Sequence, residues 1–166
     1  MKFNFILISA EDCPACRSFK SRNSLDELSN TLSSNPNISN VMILNFPSLS
    51  TWKNHFKDLP DQLKKYINYF PSFFLIEEES WLKCYEDKKA ELLISIYGMV
   101  YTNGTLATLS NANKYPYTND GIISWVNTKI NEYNIIINNN ITIDDNNNYD
   151  RMIISKKKRK KHNYIN

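Results

Sequence analysis

The chain has 166 residues, three of them cysteine, and a formal net charge of +3. That length suits one ordinary domain around a single core. Three cysteines are too few, and odd in number, for the disulfide framework of a small secreted protein. No apolar run approaches a membrane-spanning helix, and the apolar stretch Phe5–Ile8 is too short for a signal-peptide core. The expected setting is therefore reducing, cytoplasmic or nuclear, with no membrane partner. There a Cys-x-x-Cys is catalytic or metal-binding more often than structural.

Phe3–Ser9 is aromatic and β-branched without a breaker and predicts a first strand. Glu11-Asp12 make a turn, and a helix is expected from Cys13, since Pro14 suits a first helical turn where a missing N–H costs nothing. Ser24-Leu25-Asp26-Glu27 has capping-box spacing, so the helix kinks or restarts there with Leu25, Leu28 and Leu32 on one face. Ile38–Phe46 contains a second strand centred on Val41-Met42-Ile43-Leu44. Ser50 or Thr51 is placed to cap a short helix through Phe56, and Pro60 to open another to Ile67. Phe73–Ile76 reads as a third strand, Glu77–Lys89 as a charged excursion with a helical turn, and Leu92–Tyr101 as a fourth strand. Thr102–Asn119 is polar, with Asn103-Gly104 and Tyr115-Pro116 as turn signals. Ile122–Tyr133 is an amphipathic closing helix striped by Ile122, Trp125, Val126 and Ile130. The two strands before residue 50, apolar almost throughout, are expected to be parallel and central in the sheet.

The charge is unevenly placed. Asp150–Asn166 carries a net +6, including Lys156, Lys157, Lys158, Arg159, Lys160 and Lys161, so the preceding residues carry −3. A flexible tail, Asn-rich and then basic, is expected over 135–166, beyond a domain at 1–134. Its basic run suits an anionic partner such as nucleic acid, an import receptor, or a solubilising role.

The chemistry-bearing motif is Cys13-Pro14-Ala15-Cys16 at a strand-to-helix junction. Helix N-terminal amides favour a thiolate at the first cysteine, while the second, one turn on, faces inward. Cys13 is then the nucleophile and Cys16 the resolving thiol. Asp12 and Glu11 oppose the thiolate electrostatically and Arg17 supports it; that balance suits a reductase- or isomerase-like exchanger. A zinc site is the competing use of the pair. It requires further ligands from Cys84, His55 and His162, none in paired spacing, so no metal is expected.

This placement resembles the thioredoxin superfamily. Tyr66-Ile67-Asn68-Tyr69-Phe70-Pro71-Ser72-Phe73-Phe74-Leu75-Ile76 is similar to the segment in which a cis-proline precedes the central strand. Tyr97-Gly98 and Ile123-Ser124-Trp125-Val126 look like the family's later turn and closing helix. The resemblance covers Phe3 to about Tyr133 and implies a thioredoxin-like three-layer α/β sandwich, with a four-stranded mixed sheet flanked by helices. It implies that Pro71 is cis beside the cysteines, and that Phe70 meets the substrate backbone. It further implies thiol–disulfide exchange with protein or small-molecule disulfides, by a monomer without a bound cofactor. The family's Trp before the first cysteine and its Gly-Pro between the pair are replaced here by Asp12 and Pro14-Ala15. Its buried carboxylate is replaced by Leu7. The alternative is a redox-inactive interaction module of the same fold, addressed by its basic tail.

Overall fold

The computed structural model describes residues 1–50, 59–102, 105–108 and 116–138. Strand β1 (Phe3–Ala10) is followed by helices α1 (Pro14–Arg22) and α2 (Leu25–Ser33), then strand β2 (Ile38–Phe46). The break between the helices falls where the capping box predicts it: the Ser24 hydroxyl accepts the Glu27 amide at 3.1 Å. A short helix α3 (Asp61–Lys64) starts after Pro60 and precedes β3 (Ser72–Glu77). The charged excursion is a nine-residue helix, α4 (Glu78–Glu86), capped by the Glu77 carboxylate on the Glu79 and Ser80 amides.

The main sheet has the order β2-β1-β3-β4, with β4 at Ile94–Ile96. β1 runs parallel to β2, Ala10 opposite Phe46, and antiparallel to β3, Ile8 opposite Ser72. The central pair is thus β1 and β3; β2 is an edge strand, not the central strand its apolar run suggested. Its residues Val41–Leu44 are only partly buried, packed against the core from one flank of the sheet. An apolar run reports that both faces are covered, but not how many strand neighbours lie beside it.

The expected fourth strand, Leu92–Tyr101, is divided. β4 ends at Ile96, and Gly98 takes φ +73°, a left-handed conformation that glycine adopts without a Cβ clash. The chain then forms an antiparallel hairpin of β5 (Met99–Thr102), which takes the end of the expected fourth strand, and β6 (Thr105–Thr108), inside the segment expected to be loop. The Asn-Gly pair between those strands is a strong hairpin signal. The closing helix α5 spans Asn119–Asn138, crossing the boundary drawn at residue 134. Once nucleated, a helix propagates past the last residue of its apolar stripe at little cost. The expected helix after Ser50 and the basic tail lie outside the described residues.

Side chains alternate across β1. Phe3, Phe5 and Leu7 join Phe73, Leu75, Phe19, Leu28, Leu32, Ile122, Trp125, Val126, Ile130 and Tyr133 on one face. Ile6, Ile8 and Ala10 join Phe74, Ile76, Leu63, Ile67, Trp81 and Cys84 on the other. Helices α2 and α5 thus cover one face of the sheet and α3 and α4 the other, which makes the thioredoxin-like three-layer sandwich. Helix α1 spans the two clusters: Cys16 belongs to one and Phe19 to the other. That straddling puts the start of α1 over the end of the sheet where β1 stops. Among the described residues no helix is long and apolar enough to cross a membrane.

Candidate functional site

The site is built at the end of β1. Cys13 occupies the N-cap of α1 with extended backbone, and Pro14 takes the first helical position. Without a hydroxyl or carboxylate cap, the Cys13 sulfur does the capping: it accepts the Cys16 amide at 3.1 Å. The positive end of the helix is therefore presented to this sulfur. The Cys13 carbonyl accepts the Arg17 amide at 3.1 Å, closing the first turn.

The Phe70 carbonyl, just before Pro71, meets the same sulfur. The Phe70–Pro71 bond is cis, Pro71 is buried, and the Cys13 thiol lies 3.7 Å from the Phe70 carbonyl oxygen. Cys13 is 3% exposed and Cys16 fully buried, so Cys13 is the more accessible of the two by a narrow margin. Burial, with the Cys13 sulfur alongside, pushes the Cys16 thiol up to about 12. At neutral pH Cys16 is a protonated thiol behind a capping sulfur. All three cysteines are free. Cys84 is buried on α4, its thiol 3.5 Å from the Ala90 carbonyl, and burial raises it too.

The flanking residues have separate tasks. Pro14 and Ala15 are exposed on the first turn of α1. The Arg17 guanidinium donates to the Glu11 carbonyl at 2.9 Å, so it braces the turn before the cysteines. The Asp12 carboxylate accepts the Ser48 hydroxyl at 2.7 Å and the Leu49 amide at 2.8 Å. Those two bonds, the Ser48 hydroxyl foremost, hold its carboxyl below the ordinary value of 3.8. Lys156–Lys161 lie outside the described residues. Among the described residues no group of three or more His, Cys, Asp or Glu is placed to hold a metal ion.

Two parts of this neighbourhood were not anticipated, the Ser48–Leu49 segment and Tyr117. Ser48 and Leu49 reach the site because β2 is parallel to β1, so the segments after both strands emerge together; that pairing was the available signal. Tyr117 packs edge-on against Phe19 and Phe73, with ring centroids 5.0 and 5.7 Å apart. Burial first, and then the Cys16 thiol, push its phenol above the ordinary value. Tyr69 donates to the Tyr97 carbonyl at 2.5 Å, tying the approach to Pro71 to the turn after β4. Tyr117 is held by a close approach: a Cβ on Gly121 would stand 1.8 Å from the Pro116 oxygen, so only glycine lets α5 begin there. No signal in the sequence pointed to Tyr117.

Comparisons with protein-family models, with curated proteins and with solved structures return no match. A small α/β domain with a four-stranded mixed sheet and two cysteines three residues apart is what the chain itself presents, and it is compatible with a thioredoxin-like fold.

Proposed function

We propose that this chain is a thioredoxin-like thiol–disulfide oxidoreductase acting on protein or small-molecule disulfides, with Cys13 as nucleophile and Cys16 as resolving thiol. The observation that carries the reading is the seat of the Cys13 sulfur, between the Cys16 amide at 3.1 Å and the Phe70 carbonyl at 3.7 Å. The amide stabilises negative charge on the sulfur. The carbonyl marks where a substrate backbone lies when its disulfide is presented.

The exchange runs in two displacements. The Cys13 thiolate attacks one sulfur of the substrate disulfide; a Cys13–substrate disulfide forms and the other substrate sulfur leaves as a thiolate. The Cys16 sulfur then attacks the Cys13 sulfur. A Cys13–Cys16 disulfide forms, the substrate leaves as its second thiol, and the Cys16 proton leaves with the departing group. The substrate gains two electrons and two protons, and an external dithiol returns the pair to its reduced state. The high Cys16 pKa makes the second displacement the one that awaits proton loss.

Insulin reduction by dithiothreitol, followed by turbidity, tests this. The protein is expected to accelerate precipitation, Cys13→Ser to abolish the acceleration, and Cys16→Ser to accumulate a mixed disulfide visible by intact mass. A wild-type protein no faster than dithiothreitol alone would leave the interaction-module alternative.

A further inference from the structure

The two segments that flank Cys13 arise from strand register. Ala10 at the end of β1 is paired with Phe46 at the end of β2, and Ile8 with Ser72 at the start of β3. The Glu11 amide continues the β2 side by donating to the Phe46 carbonyl at 2.8 Å. Cys13 lies three residues beyond Ala10, Leu49 three beyond Phe46, and Phe70 two before Ser72. The cysteine loop is thus bracketed by Leu49 on the β2 side and Phe70 on the β3 side. Leu49 is 36% exposed, one of five large hydrophobic residues exposed to solvent among the described residues, and the one whose amide is held by the residue before Cys13. Its place is built. Asp12, the residue before Cys13, accepts the Leu49 amide at 2.8 Å and the Ser48 hydroxyl at 2.7 Å. The Ser48 hydroxyl in turn accepts the Ser50 amide at 3.2 Å.

We propose that Leu49 is a specificity-determining residue of the exchange site and Asp12 its positioning residue, together selecting substrates that carry an apolar side chain beside the reacting cysteine. The proposal rests on the exchange function proposed above. A substrate chain lying against the Phe70 carbonyl with its sulfur on Cys13 continues across the loop toward the β2 side, where it meets the Leu49 side chain. An apolar residue there removes two hydrocarbon surfaces from water at once. An acidic residue meets Glu11 and Asp12, both exposed, and is repelled.

The test compares second-order rate constants for two substrates of the intact protein: a peptide disulfide with leucine next to its cysteine, and hydroxyethyl disulfide, which is too small to reach Leu49. The readout is the ratio of the two constants. Leu49→Ser is expected to lower that ratio about 5- to 10-fold, the loss expected for an incompletely buried leucine contact. Leu49→Met, which keeps the apolar contact, restores it. Asp12→Ala lowers the ratio similarly, and adding it to Leu49→Ser lowers it no further, since both remove one contact. A peptide with aspartate in place of leucine shows a low ratio in the wild-type protein and in both Leu49 variants. Equal changes for both substrates, or additive losses in the double variant, overturn the proposal. If the wild-type protein exchanges neither disulfide, the exchange function itself has failed, and that result is distinct from an active protein without selectivity.

Discussion

The backbone amide of Cys16 donates to the sulfur of Cys13 from 3.1 Å, so one cysteine caps the helix that buries the other. The two thiols are chemically unequal before any substrate arrives. Brief treatment of the native, reduced protein with iodoacetamide is expected to place one adduct, on Cys13. Cys16 is fully buried and held near 12, and burial also raises the Cys84 thiol. Peptide mass mapping reads the site, and denaturant is expected to raise the count to three. Modification of Cys16 ahead of Cys13 would reverse the assignment of roles.

Asp12 gives a pH signature. Its hydrogen bonds are made by the carboxylate, so its folded pKa lies below 3.8. For a depressed acid the bonds are in full force above the unfolded value and are lost as pH falls through the lower, folded value. The Leu49 amide resonance is expected to move with a midpoint below 3.8. A midpoint at or above that value would mean that Asp12 does not hold the loop.

Gln62 ties α3 to the turn after α4. Its amide nitrogen donates to the carbonyls of Asp87 at 3.3 Å, Lys88 at 2.9 Å and Ala90 at 3.2 Å, and the residue is 7% exposed. Gln62→Ala leaves those carbonyls to find other partners and is expected to cost about 1–3 kcal/mol. Urea unfolding measures it; an unchanged midpoint would show that the turn stands without Gln62.

Phe73 is fully buried and packs against Phe5, Phe19, Tyr97 and Tyr117. Phe73→Ala opens a cavity among side chains fixed on four separate segments, and a loss of about 3–5 kcal/mol is expected in the same experiment. Phe73→Leu keeps most of the volume and should cost clearly less. Equal losses would mean that the aromatic cluster contributes no packing of its own.

The basic run is testable by deletion after Asn138, where α5 ends. Removing residues 139–166 is expected to leave insulin reduction intact. It is expected to abolish binding to duplex DNA, whose affinity in the full chain falls with salt at a log–log slope of up to about −5 if all six cations meet phosphates. Activity lost on deletion would place the tail in the domain; DNA binding unchanged would leave the run a solubilising end.

The amino-acid sequence by itself determined what depends on neighbours along the chain. Pro14 after Cys13 starts a helix, Ser24 with Glu27 restarts it, and alternation along Phe3–Ala10 supplies two opposite apolar faces. These are steric and hydrogen-bonding consequences within a few residues, so they are legible without the fold. The same locality made the Cys-Pro-Ala-Cys motif and the Phe70-Pro71 segment recognisable. Only the tertiary structure decided what depends on residues far apart. It made β3, not β2, the second central strand of the sheet, because an apolar run records burial of faces but not the strand beside it. It divided the fourth strand at Gly98, set the Leu49 amide on Asp12 and the Tyr117 ring on Phe19 and Phe73, and aimed the Gln62 amide at three carbonyls. Each of these contacts follows from strand order and register, which are set by long-range pairing and the packing of whole elements, and no local pattern encodes them.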